Sequence, residues 1–221
     1  MTSIGNDIVA LHMIDPGRSQ FPGFYAKILA PSEAGLHQPP LSFPVFLWTL
    51  WSIKESVYKF VRRHEPDLVF GPTKIIAEIF LPIAATVAGA VQSPTPAQSA
   101  IASAPSSVFQ SRVRFRDAVF HTRSHIFPDC ISTVVSSTDD FTDVHWGLQR
   151  TGDASSVAES AAVRHYFLEE LCLLYPDSIW ALDKSPAGHP ILLRDNQPSE
   201  IPVSFAHHGG IVGYAYGKIS A

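Results

Sequence analysis

The stretch that most constrains this chain is Phe46 to Arg63, FLWTLWSIKESVYKFVRR. At about 100° per residue, Phe46, Leu50, Ile53, Val57 and Phe60 fall on one stripe, which predicts a core-facing helix. Leu47, Trp51, Tyr58 and Val61 widen the stripe to about half the circumference, so most of the helix is expected to be buried. Opposite the core runs a polar strip. Glu55 and Lys59 stand on it one turn apart, flanked by Ser52 and Ser56, while Lys54 projects from within the apolar arc. An exposed i,i+4 ion pair worth about 0.2–0.5 kcal/mol is one reading of Glu55 and Lys59. The other is that they line a cleft, because so apolar a helix has few positions that face water. Gln38-Pro39-Pro40 and Pro44 are expected to keep the approach extended, and Pro66 to stop the helix.

With 221 residues, the chain fits one large domain or two small lobes. A net charge of −4 with 16% charged residues gives neither a basic nucleic-acid footprint nor an acidic tail. Cys130 and Cys172 show no CxxC or zinc spacing and read as buried or free thiols of a reducing compartment, with a single disulfide the alternative. The opening MTSIGNDIV lacks a basic region followed by an apolar run, so no secretory signal is expected. Ile75 to Val91 is apolar but interrupted by Glu78 and Pro82, too mixed for a membrane span. A soluble, cytoplasmic protein is expected.

Ser3 to Leu11 reads as a buried strand carrying Asp7 at its centre. Such a carboxylate either accepts backbone N–H bonds near Gly5-Asn6 or binds a ligand. Ser32 is a candidate helix cap, and Leu68 to Phe80 fits one or two strands about a turn at Gly71-Pro72. Ser93 to Ser107 is low in charge and rich in Ala, Ser and Pro, and is expected to form a loop. Val108 to Phe120 and Ile131 to Ser136 read as antiparallel strands, with His121 and His125 as surface histidines rather than a metal pair. Val157 to Leu174 is a second amphipathic helix, its Glu169 and Glu170 opposed to Val163, Phe167, Leu171 and Leu174. The tail predicts strands at Pro190 to Leu193, Ile201 to Ala206 and Ile211 to Tyr216, with His207-His208-Gly209-Gly210 as a turn. A mixed α/β domain with two buried carboxylates, a neighbouring lysine and a histidine-bearing turn suits Mg²⁺-assisted phosphoryl or pyrophosphate chemistry.

Three stretches, in order, resemble the 4′-phosphopantetheinyl transferase superfamily. They are the GxDIV strand (Gly5, Asp7, Ile8, Val9), the WxxKESxxK helix (Trp51, Lys54, Glu55, Ser56, Lys59) and an SxSH-like turn (Ser204, Phe205, Ala206, His207). FYAKILAPSEAG and the GKP-like Gly188-His189-Pro190 are weaker matches. The motif order is that of the small trimeric holo-acyl-carrier-protein synthases, in a chain about twice as long. The resemblance therefore implies an α+β fold of two similar α/β lobes forming a pseudo-dimer, with antiparallel sheets each packed on a long helix. Residues 1–150 would be the carboxylate and metal lobe, residues 151–221 the histidine lobe, and the protein a monomer.

The implied reaction moves the 4′-phosphopantetheine arm of coenzyme A to a serine of an apo-acyl carrier protein, with Mg²⁺, releasing 3′,5′-ADP. The resemblance makes Asp7 and Glu55 the Mg²⁺ ligands, Glu55 also the base, and Lys59 a pyrophosphate contact. His207, Lys54, Lys184, His189 and Ser204 are the remaining candidates for holding coenzyme A. Val9 stands where a third acidic ligand occurs in larger members, Ala206 replaces a serine and His189 a lysine. Two other readings stay open: a catalytically silent relative that binds carrier protein or coenzyme A, and an unrelated α/β domain with a plain Glu55–Lys59 ion pair.

Overall fold

The computed structural model describes residues 3–84, 91–92 and 104–219. Strand β1 (Gly5–Ala10) is buried throughout and leads through short helices α1 (Pro16–Ser19) and α2 (Pro22–Tyr25) to the long helix α3 (Phe43–Arg62). Strands β2 (Ile75–Ile83), β3 (Val91–Gln92), β4 (Ser107–Phe115), β5 (Ala118–Ile126), β6 (Cys130–Ser136) and β7 (Val144–Arg150) follow. Helix α4 (Ser156–Leu174) then precedes β8 (Trp180–Lys184), β9 (Pro190–Arg194), β10 (Gln197–Pro198), β11 (Val203–His208) and β12 (Ile211–Gly217).

A five-stranded antiparallel sheet runs β1-β6-β5-β4-β2, and α3 lies across it. A four-stranded sheet runs β11-β12-β7-β3, antiparallel except where β3 pairs with β7, and α4 packs on β11 and β12. The small β10-β9-β8 sheet completes this α+β architecture. In each of the two larger sheets a strand that precedes a long helix pairs with a later strand, β1 with β6 across α3 and β7 with β12 across α4. β7, up to residue 150, is hydrogen-bonded to β12, after it.

The apolar stripe of α3 is buried as its period predicts: Phe46, Leu50, Ile53 and Val57 are inaccessible and pack with Phe80, Phe109 and Val135. The helix starts earlier than expected. Pro44 lies in its first turn, where no intrahelical N–H is needed, rather than in the extended approach. The two larger sheets meet along β1, which packs on β11 and β12; Ile8 and Ala10 share a core with Trp146, Leu148, Ala206 and Ala215.

Other expectations are corrected. Val108 to Phe120 contains a hairpin turn at Arg116, whose φ is 54°, and Leu68 to Phe70 forms no strand. Ser32 is exposed and caps nothing; a 3-10 helix, Pro31–Leu36, begins instead after Ala30. His125 is buried on β5 against Trp146, and burial, with Arg123 adding to it, pushes its pKa down to about 4. Glu170 is buried whereas Leu174 is partly exposed, the reverse of their expected places on α4. His207 and His208 belong to β11, and the turn is Gly209-Gly210 alone, with φ of 58° and 79°. The expected loop at 93–107 falls outside the described residues as far as 103, and Ser107 already belongs to β4. Cys130 and Cys172 are both free, the first buried with its thiol pushed up to about 12.

Candidate active site

Gly5 lets β1 lie directly on α3. A Cβ at this position would stand 2.1 Å from the Ser56 carbonyl oxygen and 3.0 Å from the Phe60 nitrogen. That closeness carries Asp7 to the polar strip of the helix. Lys59 Nζ donates to Asp7 Oδ1 at 3.1 Å and to the Asn6 carbonyl at 3.0 Å. The lysine therefore pairs with Asp7 on β1 rather than with Glu55 one turn away. Asp7 Oδ2 is buried with no hydrogen-bond partner among the described residues.

Glu55 is half-buried beside this pair. Burial raises its pKa above the ordinary carboxylate value, the Asp7 charge raises it further, and Lys59 opposes both. Two repelling carboxylates, one with an orphaned buried oxygen, suit a hard dication that takes one or two carboxylates and fills its shell with other oxygens. Among the described residues no group of three or more His, Cys, Asp or Glu is arranged to hold a metal. Val9 offers no third carboxylate, being buried in the core under α3.

Lys59 also lines a cavity of about 560 Å³ between α3, α4, the β8–β9 hairpin and β11. Arg62, Arg63, Arg164 and Lys184 add cationic walls, and among the described residues Asp183 is the one acidic residue lining it. Arg63, its pKa lowered by burial, donates to the carbonyl oxygens of Val203 and Pro190. His189 is held below the usual imidazole value by burial and then by Arg63, His64 and Arg62, which favours its neutral ring. His207 enters from β11, its Nδ1 2.8 Å from Glu159 Oε2. Ser204 Oγ accepts the Asn6 N–H at 3.2 Å and keeps its own proton to donate.

Lys59, Lys184, His189, Ser204 and His207 thus surround one cavity, and Lys59 joins it to Asp7 and Glu55. Lys54 is elsewhere. It is fully buried, 2.6 Å from the equally buried Glu33, and donates to the Pro72 carbonyl. Glu33 also accepts from the backbone nitrogens of Ala30 and Ala77, each at 2.7 Å. Lys54 is thus spent on joining α3 to the 3-10 turn and β2, and its ammonium does not line the cavity. Ala206 is also displaced from its expected surroundings. Its methyl packs in the core between the two sheets, so a serine there would bury a hydroxyl rather than offer one to the cavity. Arg62 and Arg63 wall the cavity, whereas Arg112 and Arg114 pair with Glu78 and Arg116 with Glu65. Glu159 and Arg164 are absent from the motifs, and their only sequence signal is a place on the early turns of α4.

Residues 3–80 match the family model of the 4′-phosphopantetheinyl transferase superfamily. Over this segment the chain is similar to that superfamily. The match spans β1, α3 and most of β2, and so includes Asp7, Glu55 and Lys59. It supports phosphopantetheinyl transfer as the class of activity, which in this superfamily draws on coenzyme A and typically Mg²⁺ and acts on carrier proteins. No curated protein and no solved structure gives a match. No helix among the described residues is long and apolar enough to cross a membrane.

Proposed function

We propose that the protein transfers the 4′-phosphopantetheine arm of coenzyme A to a carrier-protein serine, releasing 3′,5′-ADP. One observation carries the reading: Lys59 bonds the Asp7 carboxylate, beside Glu55, while lining a cavity walled by four more cations. A polyanion the size of coenzyme A needs such walls, and a pyrophosphate cleaved at its bridging oxygen needs carboxylates beside it to hold a metal. Asp7 and Glu55 would hold Mg²⁺, which when bound shields the pyrophosphate charge. Lys59 binds the same pyrophosphate and stabilises negative charge as ADP departs. Glu55, its pKa raised, is suited to take the serine proton as Oγ bonds the β-phosphorus and the bond from that phosphorus to the bridging oxygen breaks. His207, Lys184, Ser204 and His189 position the remaining 3′-phosphate, the last chiefly as a neutral donor.

The two halves act as pseudo-twofold lobes of one monomer, divided between β6 and β7, with the cavity between them. The repeated strand-helix-strand path supports this division. The deciding measurement is the intact mass of an apo-acyl carrier protein incubated with this protein, coenzyme A and Mg²⁺. A gain of one phosphopantetheine arm, abolished by EDTA and by Asp7→Ala, is expected. Binding of coenzyme A without mass gain on several carriers would replace this reading with the catalytically silent one.

A further inference from the structure

The geometry points to Glu159 as a positioning residue that fixes the tautomer of His207, so that this histidine holds phosphate only as imidazolium. The phosphate part rests on the cavity being a coenzyme A site. Glu159 sits in the first turn of α4 and is 4% exposed. Both of its oxygens are held by the β11–β12 hairpin: Oε2 lies 2.8 Å from His207 Nδ1, and Oε1 accepts the Gly210 N–H at 2.6 Å. Gly210, at φ 79°, turns that N–H towards the helix.

An ionised carboxylate only accepts, so Nδ1 must carry hydrogen. The neutral ring then has a bare lone pair on Nε2, the nitrogen left for the cavity. A lone pair repels phosphate oxygen. Only the doubly protonated ring presents an N–H there, and that hydrogen bond is charge-assisted. Several charged groups share the cavity with His207. Helix α3 supplies Lys59, Arg62 and Arg63, α4 supplies Arg164, and the β8–β9 hairpin supplies Asp183, Lys184 and His189. Of these only His189 is of a type that titrates near neutrality.

Replacing Glu159 by glutamine should invert the arrangement. The Gly210 N–H still needs an acceptor, so the amide oxygen stays there and the amide NH₂ faces Nδ1. Nδ1 must then accept, which moves the neutral ring's hydrogen to Nε2. The E159Q variant thereby gains a phosphate donor that survives at high pH.

The test has two readouts on the full chain. Nitrogen-15 NMR of the His207 ring at pH 9, without ligand, should show hydrogen on Nδ1 in the wild type and on Nε2 in E159Q. An Nε2–H ring in the wild type overturns the inference, even if E159Q folds poorly. Calorimetric titration with coenzyme A from pH 6 to pH 9 should show wild-type affinity falling about tenfold more than that of His207→Ala. E159Q should lose this excess fall and bind more tightly than His207→Ala at pH 9. Titration of the ligand and of His189 is common to all three proteins and cancels. A wild-type slope in E159Q overturns the inference. Wild-type protein that shows the expected tautomer but binds no coenzyme A at any pH would overturn the phosphate role and the cavity's assignment together, leaving the hold of Glu159 on the ring in place.

Discussion

Substituting Gly5 by alanine tests whether the contact between β1 and α3 sets the spacing of the site. The new Cβ would lie 2.1 Å from the Ser56 carbonyl oxygen, with the Phe60 nitrogen and Val135 Cγ1 each at 3.0 Å. Two of these three neighbours are backbone atoms within a buried helix, so no side chain can swing away. Reaching even 3.0 Å from the Ser56 oxygen moves the strand about 1 Å from the helix. Overpacking of this kind costs up to about 3 kcal/mol, or on the order of 6–12 °C in Tm for a chain of this size. The same shift takes Asp7, now 3.1 Å from Lys59, out of good hydrogen-bond range. A misplacement of about 1 Å can cost roughly 10²-fold in rate. Differential scanning fluorimetry with and without Mg²⁺, alongside the mass-shift assay, separates the two effects. The variant should lose both thermal stability and the Mg²⁺-induced gain. A Tm within about 2 °C of wild type with full transfer activity would refute the argument that this glycine holds the carboxylates in place.

Two further predictions follow from the buried carboxylates. Lys54→Met leaves Glu33 charged and unpaired in the core, a loss of about 3–5 kcal/mol seen as a lower denaturant midpoint, while affinity for coenzyme A in the protein that remains folded should be unchanged. Glu55 has a folded pKa above its unfolded one, so folding takes up a proton there and stability falls as pH rises from the ordinary carboxylate value through the raised one. Glu55→Gln should therefore melt higher than wild type at pH 8 without Mg²⁺, with the difference vanishing near pH 4, and should lose at least about 10²-fold in transfer.

The legible parts of the sequence were those governed by local periodicity or by residue types with few alternatives. Helix α3 was visible because its stripe is long, and β1 because Ile4, Ile8, Val9, Ala10 and Leu11 crowd one short stretch; in such a strand Asp7 had to have a purpose. What escaped depended on partners distant in sequence. Lys54 falls beside Glu55 in the motif, yet one residue of helix turns it by about 100°, away from Asp7 and onto Glu33. His125 reads as a surface residue until the two sheets come together and Trp146 covers it. Two histidines before two glycines suggest turn polarity, but the glycines alone satisfy the turn and the histidines extend the strand. Glu159 had no signal beyond its place in the first turn of α4, since its meaning depends on a hairpin that closes far along the chain.

The seam along β1 bears on how the chain avoids self-association. β1 is the last strand of its sheet, and an edge strand with free N–H groups is a template for pairing with another molecule. Here side chains from the opposite half occupy that edge: Asn6 N–H donates to Ser204 Oγ and Ala10 N–H to His208 Nδ1. His208, with no assigned part in the chemistry, thereby acts as a plug. A chain severed between β6 and β7 would yield one fragment with an uncovered, aliphatic edge strand. Such a fragment should precipitate when expressed alone and remain in solution when its complement is made alongside it.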